Sequence, residues 1–170
     1  MMQVSTAGLE LIKSFEGLRL SPYRCSAGVP TIGFGSTFYE DGARVKMGDP
    51  EITIERAEQL LLHSLRGFCA GVNKSVRVPL EQPMFDALVS FSYNLGLGNL
   101  RASTLLMKLN RGEYEEIYEQ FLRWNKAGGR ALPGLTRRRI AEAELFNEGL
   151  EAKEELPWLF MIFNKPKVLK

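Results

Sequence analysis

The stretch Glu16-Gly-Leu-Arg-Leu-Ser-Pro-Tyr-Arg-Cys25-Ser-Ala-Gly-Val-Pro-Thr31-Ile-Gly-Phe-Gly35 carries two structural signals at once. Pro22, Gly28, Pro30, Gly33 and Gly35 are spaced too closely for a helix. Tyr23, Val29, Thr31, Ile32 and Phe34 are residues that suit a pleated, half-buried surface. The pattern predicts a small antiparallel hairpin between Leu18 and Thr37, continuing toward Arg44–Met47 and ending at Gly48-Asp49-Pro50. A hairpin returns the chain on itself, so Cys25 and Thr31 can stand opposite one another.

On the N-terminal side, Leu9, Ile12 and Phe15 recur at helical spacing behind a capping Ser5 or Thr6, and Gly17 sits where that helix should stop. Glu16 therefore closes a helix at the edge of the hairpin. On the C-terminal side, Thr53 can cap a long helix with the apolar stripe Ala57, Leu61, Leu65, Phe68 and Val72, while Arg56, Gln59, His63 and Arg66 face the other way. Pro83 suits the first turn of the next helix. There Met84, Phe85, Leu88, Val89, Phe91 and Leu95 leave little polar surface, so this helix is expected to be central and buried. Three more helices are expected near Ala102–Asn110, Glu113–Trp124 and Thr136–Glu148, separated by Gly112 and a loop over Ala127–Gly134. The fold class that follows is α+β: a small N-terminal hairpin lobe, a long connecting helix and a mainly helical C-terminal lobe.

The chain has 170 residues, 45% hydrophobic and 25% charged, which suits one ordinary globular domain and excludes fibrous or disordered classes. Residues 1–150 are read as that domain and 151–170 as a tail. Twenty-two basic against twenty acidic residues give +2, too mild a balance for a nucleic-acid binder. The longest apolar run, Leu156–Phe163, contains Pro157 and is far short of the about 20 residues that a spanning helix needs. With Lys165, Lys167 and Lys170 behind it, this run is expected to dock on the helical lobe, with weak contact to an anionic membrane as the alternative. Two cysteines, Cys25 and Cys69, cannot make a disulfide framework and read as thiols matured in a reducing compartment. The residues Met-Met-Gln-Val-Ser-Thr show no secretory signal. One histidine and two distant cysteines lack any zinc spacing, so neither a metal nor a cofactor is expected.

Glu16, Cys25 and Thr31 bring a carboxyl, a thiol and a hydroxyl to one hairpin: a candidate acid, a candidate base or nucleophile, and a candidate water-orienting group. A lone glutamate at a helix end is, on composition alone, more often a solvated charge. The spacing Glu16-x8-Cys25-x5-Thr31, followed by Ile-Gly-Phe-Gly35, resembles the signature Glu-x8-Asp/Cys-x5-Thr of the phage-type lysozymes (glycoside hydrolase family 24). The resemblance continues in Asp86-Ala-Leu-Val-Ser-Phe-Ser-Tyr-Asn-Leu-Gly96, in Arg123-Trp-Asn-Lys-Ala-Gly-Gly129 and in Gly134-Leu-Thr-Arg-Arg-Arg-Ile-Ala-Glu142, and so spans about Ser5 to Gly149.

The resemblance implies a lysozyme-like fold with a cleft between its lobes. It also implies a muramidase, acting as a monomer on bacterial peptidoglycan, that cuts the β-1,4 bond between N-acetylmuramic acid and N-acetylglucosamine. Made in the host cytoplasm, such an enzyme reaches the wall after the membrane is permeabilised. Glu16 would then be the general acid, since glycoside cleavage needs a proton on the leaving oxygen. Cys25 would stand where aspartate is commoner, as base, nucleophile or water-positioning group, and Thr31 would orient the water. An inactive peptidoglycan-binding module of the same fold is the alternative, and a cysteine hydrolase pairing Cys25 with His63 a third. Arg137, Arg138 and Arg139 are candidate substrate-binding cations. They are also spaced for local pairing, Arg138 four residues and Arg139 three from Glu142.

Overall fold

A computed structural model describes residues 1–25 and 27–155. The first helix, α1 (Thr6–Glu16), starts where Ser5 caps the Gly8 amide and stops at Gly17, whose φ of 69° only glycine adopts without strain. Two short strands follow, β1 (Arg19–Arg24) and β2 (Pro30–Gly33), paired antiparallel. The ladder slips between Arg19↔Gly33 and Tyr23↔Thr31, so β1 carries an irregularity in its middle. Beyond Gly33 the expected continuation of the sheet shrinks to isolated bridges, Ile32↔Ser36 and Phe38↔Arg44.

Thr53 then caps α2 (Ile54–Ser75) through its side chain, on the predicted residue. Ala57, Leu61, Leu65 and Val72 are fully buried, whereas Phe68 is half-buried and meets Tyr93 edge-on, ring centroids 5.3 Å apart. Helix α3 (Gln82–Leu95) is the axis of the core, with every residue from Met84 to Ser92 buried. The short α4 (Leu97–Ala102) packs on α3, while α5 (Thr104–Leu109) bridges α4 to α6 (Ile117–Leu122), which rests on α7 (Pro133–Glu155); α7 itself lies along α3. Ile32, Val45 and Leu60 form a small separate cluster under the hairpin.

Three expectations are corrected in the helical part. Helix α4 was not anticipated, because Gly96, Gly98 and Asn99 hide its periodicity. The loop expected over Ala127–Gly134 contains a two-residue hairpin, β3 (Lys126–Ala127) with β4 (Arg130–Ala131). Helix α7 begins at Pro133, whose fixed φ suits a first helical position, so Gly134 lies inside it. Arg137–Arg139 consequently sit a turn deeper than a Thr136 start implies, beyond the strongest part of the helix dipole. The same helix continues past residue 150, and the expected docking or membrane contact of residues 156–170 lies outside the described residues. No helix among the described residues is long and apolar enough to cross a membrane.

Asp86, buried in α3, fastens the start of α1. Its carboxylate accepts the Ser5 amide at 2.9 Å, the Ser5 hydroxyl, and the Gln82 side-chain amide at 2.9 Å. Gly8 packs flat against this carboxylate, and a Cβ there would come within 2.6 Å of Asp86 Cγ. Gly8→Ala is expected to destabilise the fold by about 1–3 kcal/mol through overpacking against a side chain that three hydrogen bonds hold in place. Thermal unfolding checks this, and an unchanged midpoint would refute it.

Candidate active site

Glu16 is held by a helix end on one side and by a distant arginine on the other. Its side chain is 21% exposed, and Oε1 accepts from Arg138 Nη1 at 2.6 Å across 122 positions of sequence. Oε2 takes no hydrogen bond among the described residues and faces Gly35, where a Cβ would stand 3.8 Å from it. With φ at 96°, Gly35 lets the chain leaving β2 pass close to the carboxylate. Tyr93 borders the same spot and donates its hydroxyl to the Phe34 carbonyl at 3.1 Å. Burial, and then the nearby Glu16 charge, push the Tyr93 phenol above its ordinary pKa, so it serves as a neutral donor.

Behind Arg138 lies a buried polar cluster. Arg138 Nε meets Glu142 Oε1 at 3.1 Å, and Arg139 Nε meets Glu142 Oε2 at 2.8 Å. Ser90 adds a donor to Glu142 Oε1 at 2.7 Å, and Arg139 Nη2 reaches Asn94 Oδ1 at 2.9 Å. The guanidiniums also stack on rings, Arg138 over Phe15 and Arg139 over Phe91, at 5.5 and 5.2 Å from the centroids. Burial raises the Glu142 carboxyl, and the charges of Arg139 and then Arg138 oppose that rise.

The structure thus separates the three candidate substrate cations. Arg139 is fully buried, so its reading as a substrate contact is corrected to a structural role. Arg138 is spent on Glu16 and Glu142. Arg137 is exposed and lines a cavity of about 510 Å³ together with Phe15, Glu16, Asn94 and Leu135.

At the hairpin, Cys25 and Thr31 are neighbours but not opposite. Thr31 pairs with Tyr23, and the Cys25 amide bonds to the Val29 carbonyl at 3.0 Å, so the two are offset by two residues. Their side chains still meet, because alternate residues share one face of a strand. Thr31 is 2% exposed and donates to the Val29 carbonyl at 2.9 Å, which leaves its hydroxyl oxygen free to accept. The Val29 amide, and then that of Ala27, hold the Cys25 thiol below its ordinary pKa against the opposing effect of burial. His63 is not among the groups acting on Cys25; its charge acts on Glu40. Cys69 is buried, and its thiol is raised by that burial. Among the described residues no three His, Cys, Asp or Glu side chains gather as a metal site.

Sequence reading missed the partners of Glu16. Local pairing explained Arg138 well enough that nothing pointed to a second carboxylate 122 residues away. Only the position of Asn94 and Arg138 within blocks resembling a known family marked that region.

Residues 13–142 match the phage lysozyme family, a span that takes in Glu16, Cys25, Thr31 and the whole arginine cluster. The endolysin of Bacillus phage PZA is 45% identical over 153 residues, 87% of this chain and 56% of its own length, so the chain spans just over half of that relative. The endolysin of Salmonella phage P22 is 41% identical over 75% of this chain and 87% of its own. Among solved structures, an endolysin from Escherichia coli O157:H7 phage FAHEc1 superposes with a TM-score of 0.79 at 44% identity, covering 85% of this chain and 93% of its own. The lysozyme-like fold implied by the hairpin motif is thereby shown.

Glu142→Gln leaves two buried guanidiniums facing a neutral amide. The expected loss is about 3–5 kcal/mol, as for breaking one side of a buried ion pair. Chemical denaturation measures it, and a loss below about 1 kcal/mol would mean that the cluster contributes no more than surface pairs do.

Proposed function

The chain belongs to the phage lysozyme family, and from that premise we propose that it is a muramidase hydrolysing the β-1,4 bond between N-acetylmuramic acid and N-acetylglucosamine in bacterial peptidoglycan. The observation that carries this reading is the Glu16 carboxyl, one oxygen fixed by Arg138 and the other unpaired beside Gly35 at the edge of a cavity. A general acid needs that division: one oxygen anchored for aim, one free to hold and deliver a proton. Glu16 Oε2 donates its proton to the glycosidic oxygen as the bond to the anomeric carbon breaks. Thr31 accepts a hydrogen bond from a water and orients it, and Cys25 beside Thr31 takes up the proton that the water gives up as it attacks. Arg137, exposed on the cavity wall, contacts carboxylates of the glycan or its peptide stems. Residues 1–150 form the catalytic unit of this reading.

We place the folded enzyme in the host cytoplasm until the membrane is permeabilised. Two unpaired thiols, Cys25 and Cys69, fit maturation in a reducing compartment. Cell fractionation before lysis tests this placement, and folded enzyme outside the inner membrane at that stage would refute it.

Loss of turbidity of purified cell walls tests the acid. Glu16→Gln is expected to remove nearly all activity with the melting temperature kept, and a rate comparable to that of the parent would end the assignment. An inactive binding module, by contrast, would leave parent and variant equally without effect on the walls.

Cys25 has its own test, in the pH profile. A thiol held low by two amides ionises on the acid side of the ordinary thiol range, so a thiolate that assists the water should make kcat/KM rise there. In Cys25→Asp the rise should move to lower pH, since a carboxylate is charged from about pH 5 upward. Cys25→Ser should be much slower across the range. Superimposable profiles for the parent and Cys25→Asp would remove ionisation of Cys25 from the mechanism.

A further inference from the structure

At the far end of α2, well away from Glu16, a cavity of about 440 Å³ opens where α2, α4 and α5 all end. The hairpin packs at the other end, where Gly33 lies against Ala57. The seventeen residues from Ala57 to Lys74 put about 25 Å between hairpin and cavity. No residue is shared with the cavity beside Glu16.

The cavity is lined by four exposed cations, Lys74, Arg77, Arg101 and Arg111, and by no carboxylate. Among the described residues Lys74, Arg77 and Arg101 make no ion pair, and Arg111 has only Glu113 at 3.8 Å. Most of the buried or half-buried cations behave differently: Lys13, Lys108, Arg138 and Arg139 each hold a carboxylate at 3.0 Å or closer, or two of them. A chain with a net charge of only +2 thus gathers four positive charges around one hollow.

Basic residues at helix C-termini complement the dipole, and that alone could place a lysine or an arginine here. Three helix ends contribute about half a negative charge each, which four cations exceed. The open backbone groups are also partly served already, since the Asn110 side chain donates to the Ser75 carbonyl at 3.0 Å and accepts the Arg77 amide at 2.7 Å. Arg101 Nε makes a long contact to Ser75 Oγ at 3.5 Å, and apart from that the guanidiniums are left over on the wall of a concave space of mixed polar and apolar lining.

We propose that this cavity binds phosphate groups of a phosphodiester-linked polyol polymer attached to the bacterial wall, anchoring the enzyme beside its substrate. Arg77 and Arg101 supply forked donors to phosphate oxygens, Lys74 and Arg111 add charge, and the exposed Met107 side chain gives the polyol carbons an apolar wall. A recessed hollow with a single exposed apolar side chain does not offer the broad apolar face that an interfacial membrane site needs. The choice of a wall polymer rests on the muramidase reading; the phosphate site itself does not.

The test uses the full chain and a synthetic poly(glycerol phosphate), with binding followed by calorimetry at fixed salt. Arg77→Ala and Arg101→Ala should each weaken binding by about tenfold. Arg66→Ala, which removes an exposed cation elsewhere on α2, should leave binding within about twofold, as a rim charge does at 0.15 M salt. Hydrolysis of peptidoglycan stripped of phosphate polymers should be unchanged in Arg77→Ala and Arg101→Ala, while clearing of native walls slows. Equal losses in all three variants would reduce the effect to net charge and overturn the proposal. Binding by this cavity to phosphatidylglycerol vesicles but not to the polymer would overturn it in favour of a lipid surface. Retained polymer binding by a chain that fails to cut stripped peptidoglycan would sink the muramidase reading and leave the phosphate site standing.

Discussion

One carboxylate, Glu142, ties together the helices that build the cleft. It sits fully buried on α7, takes a hydrogen bond from Ser90 of α3, and is gripped by Arg138 and Arg139 one turn earlier on its own helix. Without it two guanidiniums would face each other in the interior, an arrangement costing several kcal/mol. With it Arg138 becomes a rigid arm whose far nitrogen reaches Glu16 on α1. The ion pairs within α7 are local in sequence, yet their consequence is long-range: they set where a carboxyl at the end of another helix must point.

Helix α1 is therefore held at both ends by polar contacts to the helical core, with apolar packing and one lateral ion pair between them. Asp86 fixes its first turn, Arg138 fixes its last residue, and Lys13 joins it sideways to Glu58 of α2 at 2.6 Å. Polar anchors specify position more narrowly than apolar contact, because a hydrogen bond fails over a few tenths of an ångström whereas a packed methyl group slides. A helix of eleven residues would be marginal alone. Fastened in this way, it presents Glu16 in one place.

Elements dictated by local chemistry were legible from the residues alone. Ser5, Thr53 and Gly17 mark helix ends because their side chains, or the lack of one, decide the backbone next to them. The unbroken apolar content of α3 announces burial from any direction. Elements dictated by tertiary packing were not legible. Helix α4 has glycines where propensity argues against a helix, and β3–β4 is too short to show a period. The partner of Glu16 is 122 residues away, and the local pairing of Arg138 with Glu142 had already accounted for the charge. Even at the hairpin, the two-residue offset between Cys25 and Thr31 follows from where the turn falls, which pairs Tyr23 with Thr31 and Arg24 with Pro30, and no alternation of residues reveals that register. What the motif carried was identity and order; the geometry came from the fold.

The two halves of the candidate site are held by different means, and this bears on which residues each can accept. Glu16 depends on a side-chain network, so its carboxyl length and charge are matched to one guanidinium. Cys25 depends on backbone amides, those of Val29 and Ala27, which are present whatever residue occupies position 25. Amide donors favour any compact anion placed before them, a thiolate or a carboxylate oxygen alike. A turn of this kind can therefore exchange cysteine for aspartate and keep both the charge and its location. The motif that the hairpin resembles, with Asp or Cys nine residues after its Glu, is consistent with such a division of labour.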